Sequence, residues 1–192
     1  MLDRIAVAIS VLLSPFLVPA ASILLVVYIY AVTLRQAILW PLIIILFISV
    51  LPSLFVLMLF RLGQISDIQL TVREQRLKPL FFSIASALVG SSILHLVDAP
   101  QEIVWICIAY VINGVVFTLI TPLWKISFHS GVTAGCVTAL TLLVNGQLAW
   151  LFLLLPLIAW ARVYRRRHTF LQTVVAALIA IVNTAMVLQL SS

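Results

Sequence analysis

Apolar residues run along this chain in long unbroken stretches, parted by short polar segments and lacking the two-residue alternation of strands. The stretches cover residues 5–33, 37–60, 80–97, 103–123, 131–144, 148–161 and 173–190. An α-helix needs roughly 20 apolar residues to cross a bilayer, fewer where it is packed in protein. A membrane barrel would instead show short alternating strands. The two stretches flanking Asn145-Gly146-Gln147 are short, and the turn-forming triplet between them predicts a hairpin rather than the middle of one helix. Pro15 and Pro19 bend the first stretch or divide it into an interfacial piece and a span. The pattern predicts an all-α, polytopic membrane bundle with six or seven transmembrane helices, six if the first stretch does not cross. Residues 1–60 hold two N-terminal hydrophobic segments, and residues 61–192 form a transmembrane core that carries the polar clusters.

Composition agrees with this reading. Of 192 residues, 65% are hydrophobic and 8% charged, with a mean hydropathy of +1.29, which leaves too little polar surface to solubilise a core of this size. The net charge of +6 sits in short segments between spans, so it points to anionic head groups or phosphate and away from nucleic acid. Cys107 and Cys136 both lie in apolar runs, which argues against a disulfide framework or a cysteine zinc site. Met1-Leu2-Asp3-Arg4 and the following apolar run have the look of a secretory signal. The run continues to about Thr33, which favours an uncleaved anchor.

The polar segments 61–78, 122–130 and 162–172 are separated by two spans each, so all three fall on one side. If the first run crosses, that side holds ten of the eleven basic residues, and Arg35 alone lies opposite. Setting aside Arg73, Arg76, Lys78, Lys125 and Arg162 as candidates for chemistry still leaves five against one. Positive-inside bias then places the clusters on the cytoplasmic face.

Cations and imidazoles gathered beside lipid mark a site by default. His168 and Gln172 are four apart and share a helical face, so the Gln172 carbonyl can accept from one ring nitrogen and leave the other free. An imidazole so held can take a phosphoryl group covalently. Arg162, six residues earlier, can clamp phosphate oxygens in a bidentate fashion. Arg165, Arg166 and Arg167 are read as head-group anchors. Ser127-Phe128-His129 opens an apolar helix, where free backbone N–H groups and the Ser127 hydroxyl suit phosphate. His129 can protonate a leaving alkoxide and then activate water, with Lys125 adding charge. Read blandly, Ser127 is an N-cap and His129 a boundary histidine. Arg73, Arg76 and Lys78 form a third cluster, with Glu74 able to pair with Lys78. Asp67 either orients a histidine or balances an arginine. Carboxylates are too scattered for a magnesium site, and no Gly-rich phosphate loop or GxSxG elbow is present. No metal or cofactor is expected.

The order and spacing of these clusters resemble the type 2 phosphatidic acid phosphatase superfamily of lipid phosphate phosphatases. Its pattern is K-x(6)-R-P, then P-S-G-H, then S-R-x(5)-H-x(3)-D. The resemblance covers about residues 61–190, and Ser127, His129, Arg162 and His168 match position for position. It implies a metal-independent hydrolase in which His168 is the nucleophile, His129 the acid and base, and Arg162 with Ser127 hold phosphate. The chain departs from the pattern at several places. Lys78-Pro79 stands for R-P, with Thr71 at the lysine position and Arg73 and Arg76 as substitutes. Phe128 stands for glycine, Ala161 for serine, and Gln172 for the aspartate that orients the nucleophile.

The sequence thus leads to a membrane phosphatase acting on a lipid phosphate or pyrophosphate, polyprenyl or phosphatidyl, whose tail stays in the bilayer. The rival expectation is a catalytically inactive protein or transporter that uses the same basic pocket to hold lipid head groups.

Overall fold

The computed structural model describes residues 1–190; Ser191 and Ser192, the end of the 61–192 segment, lie outside the described residues. The described chain is all-helical, 79% helix with no strands. Each of the seven apolar stretches is helical. The first becomes α1 (Leu2–Leu12) and α2 (Leu17–Tyr30), bent by 48° at a break that contains Pro15. At the start of the second piece the Ser14 hydroxyl accepts from the Leu17 N–H at 3.2 Å. The second stretch is one 28-residue rod, Leu34–Arg61. It comprises α3 (Leu34–Ile44), a π-helical turn Ile45–Val50 and α4 (Leu51–Arg61). The π turn lies between Pro41 and Pro52, where proline removes ordinary i→i−4 donors. α5 (Leu77–Leu96), α6 (Gln101–Ile120), α7 (Phe128–Leu143), α8 (Leu154–Tyr164) and α9 (Phe170–Gln189) follow. The triplet at 145–147 does make a turn. Asn145 accepts from Gln147 N–H at 2.8 Å and starts a 3₁₀ stretch, Gly146–Leu153, that leads into α8.

Five helices are long and apolar enough to cross a membrane, and the bent pair makes six. α7 has 16 residues, about 24 Å at 1.5 Å per residue, short of the roughly 30 Å hydrocarbon core. The expected six or seven spans therefore correspond to five full-length helices, one bent pair and one short helix. α7 is shielded by protein on much of its surface. Its Gly131, Thr133, Ala134, Thr138 and Ala139 are buried, and it packs against α9, α2 and α6. Small residues let these backbones approach closely. Phe117 lies against Gly131, with its ring edge T-shaped to Phe128 at 5.3 Å. Leu42, Leu119 and Leu178 project outward from the bundle, compatible with a multi-pass membrane protein. The main apolar core joins α2, α3, α5 and α6 through Val26, Trp40, Ile44, Ala87 and Ile103.

Candidate functional site

Three loops converge at one end of the bundle, and side chains from each reach one cavity of about 300 Å³. Arg76, His129, Arg162 and His168 all line it, together with Arg165 and Ser10. Its lining contains no carboxylate. From this cationic mouth the cavity runs inward past Ile23, Ile106, Tyr110 and Ala139 to the polar pair Asn113 and Thr184, bonded to each other at 3.0 Å.

The end of α8 sets the spacing of Arg162 and His168. The helix closes with the Arg166 N–H donating to Val163 O at 2.8 Å and the Arg167 N–H to Arg162 O at 3.0 Å. Arg166 stands in the left-handed region at φ +51°. This is a Schellman turn, and it reverses the chain within one residue of His168. Thr169 then caps α9 and forms a reciprocal box with Gln172. The Gln172 carbonyl oxygen accepts from the Thr169 N–H at 3.1 Å and lies 3.3 Å from His168 Nδ1. The Lys125 backbone carbonyl is also 3.3 Å from Nδ1. Both neighbours are acceptors, so Nδ1 carries the hydrogen and Nε2 keeps its lone pair. Burial, with the charges of Arg76 and Arg162, pushes the His168 imidazole down to about 3, so the ring is neutral at ordinary pH.

Arg162 is 3% exposed, and its Nε is buried without an acceptor. The charges acting on it are those of Arg165, Arg167 and Arg76, all positive. Arg76, 5% exposed, is held differently. Its Nε donates to Leu70 O at 2.8 Å and Nη1 to Ile126 O at 3.3 Å, so two carbonyls hold it, while the Asp67 and Glu74 carboxylates act on it without direct contact. Leu70 takes φ +52° in presenting that carbonyl, a conformation costly for a residue with a Cβ. Burial and the charges of Arg76, Arg167 and Arg162 lower the Lys125 ammonium below its ordinary range. The local field around the cavity is therefore positive.

Other candidates lie elsewhere. Ser127 is fully buried, N-caps α7 by accepting from the Ser130 N–H at 3.5 Å, and shares a 3.1 Å contact with the Ser130 hydroxyl; it does not line the cavity. Arg73 pairs with Glu74 at 3.2 Å, and Lys78 donates to Gln64 at 2.9 Å, so both stay outside the cavity. The expected Glu74–Lys78 partnership is thus replaced by Glu74–Arg73. Arg76 is buried against the cavity, whereas Arg73 is only partly buried and lies outside it. Asp67 accepts from the Thr71 N–H at 3.1 Å. Burial pushes its carboxyl up, but hydrogen bonds from Thr71 and Gln69 and the charge of Arg167 more than offset this and leave it lowered. His168 spends Nδ1 on Gln172 and Lys125, so Asp67 balances arginines and does not orient that histidine.

Two of the three consecutive arginines are more than head-group anchors. Arg165 lines the cavity and donates to Gln69 at 3.2 Å, while Arg167 donates to Thr71 Oγ1, tying the α8 turn to loop 67–71. A run of three identical residues gives no sign of which member points inward; the left-handed turn decides it. Among the described residues, no three His, Cys, Asp or Glu side chains converge as metal ligands. Comparison with protein-family models, curated proteins and solved structures finds no match to this chain.

Proposed function

We propose that the chain is an integral membrane phosphatase that hydrolyses a lipid phosphate or pyrophosphate, polyprenyl or phosphatidyl, through a phospho-histidine intermediate and without a metal. The observation that carries this reading is Arg162, a buried guanidinium with an unpartnered Nε and only cations around it. A charge left so is costly unless an anion completes it. The two imidazoles and Arg76 on the same cavity supply what phosphoryl transfer requires beyond binding.

In the first step the Nε2 lone pair of His168 forms a bond to phosphorus as the bond to the leaving oxygen breaks. His129, charged once the bound phosphate anion offsets the surrounding arginines, gives that oxygen its proton. Neutral His129 then takes a proton from water, whose oxygen attacks phosphorus and breaks the N–P bond. Arg162 and Arg76 offset the charge on the phosphoryl oxygens throughout. The apolar inner reach of the cavity suits a substrate with a hydrocarbon tail. By the distribution of arginine and lysine, the site faces the cytoplasm.

One feature favours the rival reading of a head-group-binding protein. Gln172 is neutral, and an amide stabilises an imidazolium less than a carboxylate does. Phosphate release from a lipid-phosphate panel in detergent with EDTA separates the two. His168→Ala abolishes release if the chain is a phosphatase, and Arg166→Ala leaves it unchanged. Equal rates in both variants, or strict magnesium dependence, overturn the mechanism.

A further inference from the structure

The short N-terminal helix contributes more than an anchor. α1 packs along α8, the helix that carries Arg162, and buries Ala6 and Ser10, one turn apart, on that face. The bend between α1 and α2 brings Ser10, Ser14 and Phe16 onto the cavity wall. Ser10 is 4% exposed, and its hydroxyl oxygen is buried without a hydrogen-bond partner.

That orphan hydroxyl is unusual within this fold. Helical hydroxyls elsewhere fold back onto the carbonyl four residues earlier, as Ser83, Ser91, Thr118, Thr138 and Thr141 do at 2.7–2.8 Å. Ser10 does not, although the Ala6 carbonyl stands one turn back. Thr133 also has a buried, unpartnered hydroxyl, but it does not line the cavity. Ser10 adjoins the reactive groups as well, since it lines the same cavity as His129 and Arg162.

We propose that Ser10 is a phosphate-binding residue of the site, its hydroxyl donating to a phosphoryl oxygen. This rests on the phosphatase reading only for the identity of the natural ligand. The chemistry recognised is a phosphate group, whether carried by a lipid or free, and the N-terminal helix becomes one wall of the site.

The test uses the full-length protein in detergent with two probes, inorganic phosphate and dioctanoyl phosphatidic acid. Ligand-induced stabilisation is measured for wild type, Ser10→Ala and Ser10→Cys. Removing an unsatisfied buried hydroxyl leaves the ligand-free melting temperature equal or higher. Affinity for both probes falls about 10-fold, the size of one hydrogen bond to a charged group. A purely structural serine gives the opposite pattern, a lower ligand-free melting temperature with unchanged affinity, and overturns the proposal. Weakening confined to the lipid probe places Ser10 on the tail and also overturns it. If the wild type binds both probes in a Ser10-dependent manner yet releases no phosphate, the phosphatase reading fails and Ser10 remains assigned. Full turnover with no Ser10 dependence removes the assignment alone.

Discussion

The backbone carbonyl of Arg162 accepts from the His168 N–H at 3.4 Å as well as from the Arg167 N–H at 3.0 Å, so one turn fixes the backbones that carry the guanidinium and the imidazole. Neither backbone can shift relative to the other without breaking the end of α8. Their six-residue spacing is the length of a helix stop followed by one connecting residue.

That turn sets a cost at Arg166, which stands at φ +51° and is exposed. Glycine takes this conformation without strain, so Arg166→Gly stabilises the protein by about 0.5–1 kcal/mol after its own entropy is counted. Arg166→Val destabilises it. Thermal melting in detergent checks both, and equal shifts would contradict the turn.

Arg162 behaves as a charge awaiting its partner. Arg162→Met removes a buried cation flanked by cations, so the ligand-free protein gains about 1–3 kcal/mol while phosphate no longer stabilises it. Arg162→Lys keeps the charge but loses the planar fork and binds phosphate more weakly. A ligand-free protein destabilised by Arg162→Met would mean that the guanidinium is already satisfied.

Burial and two arginines hold the His168 imidazole at about 3 when folded, against 6.5 in the unfolded chain. Between these values the unfolded state binds more protons. Stability is therefore full above pH 6.5 and falls as pH drops toward 3. Gln172→Glu places a carboxylate at the same reach, raises the His168 imidazole and flattens this loss. It also moves the acid limb of any turnover upward. A ¹⁵N-histidine titration by NMR reads both forms, and unchanged titration in the variant would rule out the Gln172 contact.

A Cβ at Gly131 would stand 2.2 Å from the ring of Phe117, which is 1% exposed. Gly131→Ala costs about 1–3 kcal/mol through overpacking, and Phe117→Leu in the same chain recovers part of it. Additive losses in the double variant would show that the two do not compete for space.

Sidedness is checked at Gln64, exposed just beyond α4. A cysteine introduced there reacts with an impermeant thiol reagent only after cells are opened. Labelling of intact cells would place the cluster-bearing end outside.

The helical architecture was legible because lipid-length apolar runs and their turn residues dictate it almost alone. Arg76, His129, Arg162 and His168 stood out because cations and imidazoles are rare against hydrocarbon. Span lengths were less legible: the Pro15 break and the brevity of α7 depend on packing against neighbours. Ser10 could not be found in this way, because its hydroxyl stands out only for lacking a partner in the fold. Arg165 escaped for a related reason, since its direction follows from the dihedral of the next residue. Ser127 reads equally as cap or ligand on paper, and its 3.1 Å contact with Ser130 is a relation only a fold can display.

Because two carbonyls occupy Nδ1 of His168, only the far ring nitrogen is open to a phosphoryl group. A trapped covalent adduct on this side chain would then be a single regioisomer, the tele form. Antibodies or tandem mass spectra that separate tele from pros phosphohistidine would read the orientation of the ring straight from the chemistry.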